Sequence, residues 1–265
     1  MTLRIAFTTD IHLGPNIGAK KGTQVGPLLE RFIDAAHEFQ ADYIVTGGDD
    51  ISSRDPDTDR KNIQILRRHF QRAACPVIRV EGNHCGRFKL QQNPSQVIDT
   101  GTHQIFIWNP YLNRYSGAGV VPDPQDITWL EISLAAAARP VILFTHIPPK
   151  GPPMLANVKP RPAKDVYYPA RLANEKEIQD VIEASGKVIS VHSGHRHRNY
   201  RDHSGNVHYL THQSMAEDVD KSGKACGAYA LMEFTDDLLS IHGFGTRQPA
   251  HRSLPLRKPS GLVVA

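Results

Sequence analysis

The chain is poor in cysteine, in aromatic residues and in long apolar runs, and each shortage closes off a class of protein. Its 265 residues include three cysteines, Cys75, Cys85 and Cys226. They are odd in number and far apart, which argues against a disulfide framework and suits a reducing compartment. Aromatic side chains make up 7% of the chain, and no track of basic and aromatic residues is visible. A groove that stacks the bases of single-stranded nucleic acid is therefore disfavoured. No apolar run could span a bilayer, and Leu3-Arg4-Ile5-Ala6-Phe7 goes straight into a strand-like pattern with no cleavable signal ahead of it. No membrane insertion is expected, and a cytoplasmic location is. The net charge of +4 falls short of the basic stripe of a duplex-binding protein, yet suits an anionic substrate. What the chain does have in quantity is histidine, 14 residues of it.

Strand-like runs alternate with helical patterns at the start of the chain. Leu3–Thr8, Tyr43–Thr46 and Val77–Val80 read as strands. Between them lie a helix opened by Gly26-Pro27, with Leu29, Phe32, Ile33 and Ala36 on one stripe, and a second over 58–74 carrying Ile63, Leu66 and Phe70. This order implies a parallel sheet with right-handed crossovers. From Gln91 to Asp126 the composition turns to Asn, Gly, Pro and Tyr, with one alternating run, Gln104–Trp108, that fits a strand of a second sheet. A helix over 126–138, the apolar strand Val141–Thr145, a proline-rich basic loop to about Tyr168 and a helix over 174–184 with Asn174 as its N-cap come next. Strands Val188–Val191, Val207–Thr211 and Ala228–Phe234 complete the pattern. One domain is expected over 1–245, followed by a tail over 246–265 that is loosely held or packed on a partner.

Five of these strands end in side chains that can bind metal. They deliver Asp10 and His12, then Asp49, then Asn83 and His84, then His146, then His195 and His197. In open α/β sheets ligands bind beyond the carboxyl ends of strands, so the position counts as well as the residue type. Side chains two apart on extended backbone face the same way, which predicts that Asp10 with His12, and His195 with His197, each aim at one point. Mixed imidazole and oxygen donors favour Mn, Fe or Zn over Mg or Ca.

The order D-x-H, G-D, G-N-H, T-H and G-H-x-H, spread over residues 3 to about 235, resembles the calcineurin-like metallophosphoesterase superfamily. Within it the chain is most similar to the bacterial branch that includes the class III cyclic nucleotide phosphodiesterases. The resemblance implies a four-layered α/β/β/α sandwich of two mixed sheets flanked by helices. It implies two divalent metal ions joined by Asp49 and a bridging hydroxide. Asp10, His12 and His197 would complete one site, and Asn83, His146 and His195 the other. His84 would bind no metal and would protonate the leaving oxygen. The implied activity is hydrolysis of phosphodiester bonds of small nucleotides; a nuclease of the same superfamily and a metal-binding scaffold with little catalysis are the alternatives.

The chemistry is consistent with that resemblance. A pair of divalent ions clamps phosphoryl oxygens and lowers the pKa of a bound water. With Asp10 and Asp49 as the carboxylates of the shell, about two positive charges remain to hold a hydroxide and a phosphodiester anion. The family's third motif usually continues with an acid, and here Cys85 stands in its place. Either His84 becomes a weaker general acid, favouring esters with good leaving groups, or Cys85 is a small packing residue. Arg196 and Arg198 alternate with the histidines and read as solvated charges. Lys150, Lys159, Arg161 and Lys164 with Tyr167 and Tyr168 line a substrate mouth or belong to a surface loop.

Overall fold

Along β1 (Leu3–Thr8), Leu3, Ile5 and Phe7 face one layer and Ala6 the other, and both faces are buried. A strand covered on both sides reads as one continuous apolar run. The computed structural model describes residues 2–52, 54–85, 94–110, 115–116, 119–151, 171–257 and 259. After β1 come α1 (Val25–Glu38), β2 (Tyr43–Thr46), α2 (Pro56–Phe70), β3 (Val77–Arg79), β4 (Gln96–Asp99) and β5 (Gln104–Ile107). A short pair, β6 (Tyr115–Ser116) and β7 (Gly119–Val120), precedes α3 (Pro124–Ala136), β8 (Val141–Phe144), α4 (Glu175–Ala184) and β9 (Val188–Ser193). The remaining strands are β10 (Tyr200–Ser204), β11 (Val207–Thr211), β12 (Tyr229–Phe234), β13 (Leu238–Phe244) and β14 (Arg252–Pro255).

These strands form two six-stranded mixed sheets, ordered β14-β13-β12-β1-β2-β3 and β10-β11-β9-β8-β5-β4. β1, β2 and β3 run parallel, as do β5, β8, β9 and β11, and antiparallel strands flank each set. Ile5, Phe7 and Met232 of the first sheet meet Ile142, Phe144 and Ile189 of the second in a shared inner core. Leu29, Phe32 and Ile63 of α1 and α2 cover the outer face of the first sheet; Leu130, Leu134, Ile178 and Ile182 of α3 and α4 cover that of the second. The result is the expected α/β/β/α sandwich.

Two helices begin earlier than their apolar stripes suggest, for a capping reason. Asp55 accepts hydrogen bonds from the backbone N–H of Asp57 and Thr58 ahead of Pro56, and Asp123 accepts from Gln125 ahead of Pro124. An acid at the N-cap followed by proline in the first turn is a strong start signal. Asn174 precedes α4 as expected, but its side chain donates to Glu177 Oε2 at 2.8 Å instead of capping the helix. Arg252–Pro255 pairs antiparallel with β13 as an edge strand, and Leu254 and Leu256 are buried in the inner core. Among the described residues no helix is long and apolar enough to cross a membrane.

Candidate metal centre

The segments after β1, β2, β3, β8 and β9 meet over the joined rims of the two sheets, and the backbone there is not extended. Asp10, His12, Asp49, His195 and His197 all have φ between 48 and 66°. The left-handed region costs a non-glycine residue about 1–3 kcal/mol, so surrounding contacts must hold it. Asp10 N–H donates to Gly48 O and His12 N–H to Asp49 O, both at 2.9 Å, and His195 N–H donates to Asp10 Oδ2 at 2.8 Å. The expectation that His195 and His197 aim at one point therefore fails. His197 joins Asp10 and His12, whereas His195 joins Asp49 and His146.

In the first group His197 Nε2 lies 3.1 Å from both Asp10 Oδ1 and His12 Nε2. In the second, His146 Nε2 lies 3.3 Å from Asp49 Oδ2, 3.2 Å from Asn83 Oδ1 and 3.1 Å from His195 Nδ1. Asp49 links the groups, since its Oδ2 is also 3.9 Å from His12 Nε2. The approach is close enough to demand glycine at two points. A Cβ on Gly82 would fall 2.1 Å from Asp49 Oδ1, and one on Gly194 would fall 2.4 Å from Asp10 Oδ2.

These atoms suit a cation better than they suit one another. His146 Nδ1 faces Gly47 O at 2.8 Å, so that nitrogen carries the proton and Nε2 presents a lone pair. Nε2 converges with Asp49 Oδ2 and Asn83 Oδ1, so a cation or a proton has to sit among them. Asp10 Oδ1, His12 Nδ1 and His195 Nε2 are buried without a hydrogen-bond partner. Protons are drawn in where charge is concentrated. Burial opposes charge on His146 and His197, but Asp49 pushes His146 up to about 9, and Asp10 with Glu217 pushes His197 up to about 10. Burial also opposes ionisation of Asp10 and Asp49, and the adjacent imidazoles outweigh it and hold both carboxyls well below their usual range. His195, by contrast, is lowered to about 3, first by burial and then by His146. The donor set fits a dinuclear divalent site.

Residues 3–199 match the family model described as calcineurin-like phosphoesterase. The chain belongs to that family. This calcineurin-like phosphoesterase is a metal-dependent phosphoester hydrolase. Its fold is similar to that of a dimetal phosphatase from Danio rerio, with a TM-score of 0.75 at 14% identity, covering 96% of this chain and 99% of that one. It is also similar to a purple acid phosphatase from yellow lupin seeds, with a TM-score of 0.60 at 11% identity over 98% of this chain and 54% of that one. GAP50, the anchor in the inner membrane complex of Plasmodium, gives a TM-score of 0.60 at 10% identity over 98% of this chain and 90% of that one. At such identities the likeness is one of fold. No curated protein matches the chain in sequence.

Around the cluster of this phosphoesterase the remaining expectations divide. His84 lies beside it, with Nε2 3.9 Å from Asp49 Oδ2, its ring edge-on to His12 at 5.1 Å, and its backbone N–H donating to Asp49 Oδ1 at 2.8 Å. Its Nε2 is also close enough to His12 and Asp49 to serve as a third donor. Cys85 turns away from it: Sγ accepts from Asp50 N–H at 3.3 Å, and burial, then Asp50 and Asp49, push the thiol up to about 12. That is the packing reading of Cys85. Beneath it Asp50 is held by the Arg79 guanidinium, with Nε 2.8 Å from Oδ2.

Arg196 is half-buried, its charge disfavoured first by burial and supported by Glu175, so it is not a fully solvated charge. Lys150 pairs with Asp202 at 3.7 Å and stacks over Tyr209. Lys159, Arg161, Lys164, Tyr167 and Tyr168 lie outside the described residues, as does part of 91–126. Two functional candidates were missed by sequence reasoning. Glu217 Oε2 receives His197 Nδ1 at 2.7 Å, and Lys20, whose backbone bridges to Glu217, carries an ammonium that opposes charge on His12 and His84. Neither falls in a motif.

Proposed function

We propose that this phosphoesterase hydrolyses phosphodiester bonds of small nucleotides. Two divalent ions drawn from Mn, Fe or Zn would be held by Asp49 together with Asp10, His12 and His197 on one side and with Asn83, His146 and His195 on the other. The reading rests on one observation, the convergence of His146 Nε2 with Asp49 Oδ2, Asn83 Oδ1 and His195 Nδ1 within 3.1–3.3 Å, beside the group of Asp10, His12 and His197. Bound metals supply charge neutralisation at the phosphoryl group and a lowered pKa for a coordinated water.

The chain's own groups do the rest. Gly47 O and Glu217 fix the rings of His146 and His197 from behind, so each presents one nitrogen. His84 sits on the open side of the cluster, 29% exposed, where it can pass a proton to the leaving oxygen. Burial lowers its pKa and Asp49 opposes that, so an anionic group beside it is what charges it, and it gives the proton up readily. Lys20 adds positive charge at the same rim, which supports an anionic substrate. The modest net charge of +4 supports a small one. The core shared by both sheets supports reading the chain as a single catalytic domain that continues through β14.

The test is hydrolysis of bis-p-nitrophenyl phosphate and p-nitrophenyl phosphate by metal-stripped protein refilled with Mn. It is run beside His146→Ala, Asp49→Asn and His84→Ala. The expected result is diester turnover that needs metal, collapses in the first two variants, and in His84→Ala falls most for poor leaving groups. Tight uptake of two ions without cleavage of either ester would refute the catalytic reading.

A further inference from the structure

A small hairpin ahead of α1 stands beside the first group of ligands. Ile17 N–H donates to Lys20 O at 2.9 Å and Lys20 N–H to Ile17 O at 3.0 Å, with the chain turning through Gly18 and Ala19. Lys20 in turn bridges antiparallel to Glu217, flanked by Lys21 N–H donating to Ala216 O at 2.8 Å and Asp218 N–H to Ala19 O at 2.9 Å. Residues directly opposite in antiparallel pairs place their side chains on one face, about 5 Å apart. Ile17, Lys20 and Glu217 therefore form a row on one face. Glu217 fixes which face it is, because its carboxylate reaches His197 Nδ1 at 2.7 Å. The row runs outward from the cluster as a carboxylate, an ammonium and an apolar side chain.

The outer two members of the row are uncommitted. Lys21 next door pairs with Asp218 at 3.6 Å, whereas the Lys20 ammonium makes no hydrogen bond or ion pair among the described residues. Ile17 is 46% exposed. The charge of Lys20 is felt at His12 and His84, whose rings meet edge-on at 5.1 Å. His84 is the proton donor proposed for the leaving oxygen, so the ammonium lies on the leaving-group side. A free ammonium there matches an anion that departs with the leaving group, and the exposed alkyl beyond it matches a flat apolar ring. We propose that this hairpin reads the leaving group, Lys20 binding a phosphate that departs with it and Ile17 packing on the base beyond, so that the substrates are small nucleotides whose scissile bond joins two phosphates. Each phosphorus in such a linkage carries one negative charge, as in a phosphodiester. Hydrolysis adds the OH of water to one phosphorus and breaks its bond to the bridging oxygen. The other proton of the water passes through His84 to the departing phosphate. The proposal rests on the phosphoesterase reading of the metal centre.

Release of AMP from diadenosine diphosphate by the Mn-loaded protein, beside turnover of bis-p-nitrophenyl phosphate, whose leaving group carries no phosphate, tests it. Lys20→Ala should cut kcat/KM for the dinucleotide roughly tenfold or more and for the nitrophenyl ester only several-fold, and Lys20→Arg should recover most of the loss. Ile17→Ser should raise KM for the dinucleotide several-fold with kcat kept. The hairpin is held by backbone bonds, which these substitutions leave in place. Binding is read apart from turnover by equilibrium dialysis of the Mn-loaded protein against ADP and AMP; the wild-type preference for ADP should shrink roughly tenfold in Lys20→Ala. Equal losses on the two substrates with an unchanged ADP-to-AMP ratio would overturn the proposal. Cleavage of the nitrophenyl ester without any of the dinucleotide would overturn it as well, and leave the esterase activity standing. If neither is cleaved, the catalytic reading of the metal centre fails, and the ADP-to-AMP ratio in Lys20→Ala still decides whether Lys20 holds a second phosphate.

Discussion

Replacing Glu217 by Gln should loosen one metal and spare the other. His197 Nδ1 and Glu217 Oε2 are 2.7 Å apart, and the carboxylate is 22% exposed, so its charge is poorly screened. Gln keeps the shape and a hydrogen bond but removes the charge that makes the imidazole a better donor to a cation. Partners of this kind are worth about 10- to 100-fold in metal affinity, or about 1.4–2.7 kcal/mol. His146 is braced instead by the Gly47 carbonyl, which the substitution does not touch. Chelator competition on the Mn-loaded protein, with bound metal counted at each step, should therefore show one ion leaving Glu217→Gln well before the other. Wild type should release the corresponding ion 10- to 100-fold later in chelator concentration. Equal loosening of both ions, or none, would show that Glu217 braces the loop and not the ligand.

Other perturbations follow from the same geometry. His212 is lowered from 6.5 to about 3 by burial and Arg252, so between those values the unfolded chain binds a proton that the folded one refuses. Stability should fall as pH drops below about 6.5, and denaturant titrations of His212→Gln should show a shallower acid limb by about 1.4 kcal/mol per pH unit; an unchanged slope would mean His212 is protonated in the fold. Leu254→Ala should cost about 2–5 kcal/mol in urea unfolding, because Leu254 is 2% exposed in the inner core; a loss within experimental error would return residues past 251 to a loose tail. Lys20→Ala should raise KM several-fold for anionic substrates with kcat near wild type, and high salt should erase the difference. A fall in kcat alone would place Lys20 in the chemical step instead.

The parts of the site that were legible in the sequence are those set by local order. Strand ends followed by a metal-competent residue are visible because the apolar run and the turn are neighbours in the chain, and the α/β/β/α layering was implied by the family resemblance of those motifs. Conformation at those ends was not legible. Extended pairing was the natural reading of His195-Arg196-His197, but contacts from other segments, such as Asp10 Oδ2 receiving His195 N–H, hold both histidines in the left-handed region. Residues that break a local backbone rule at a cost are expected where function requires it. β14 escaped notice because four residues ending in proline, with charge or polarity at Arg252 and Ser253, carry no period. Glu217 escaped because nothing beside it in the chain is distinctive. It reaches His197 only because its backbone is pinned on two sides, by the bridge to Lys20 and by Cys226 N–H donating to Glu217 O at 2.8 Å. A carboxylate placed by two such long-range contacts against a candidate ligand belongs to the site as firmly as the motif residues do, and only the fold reveals it.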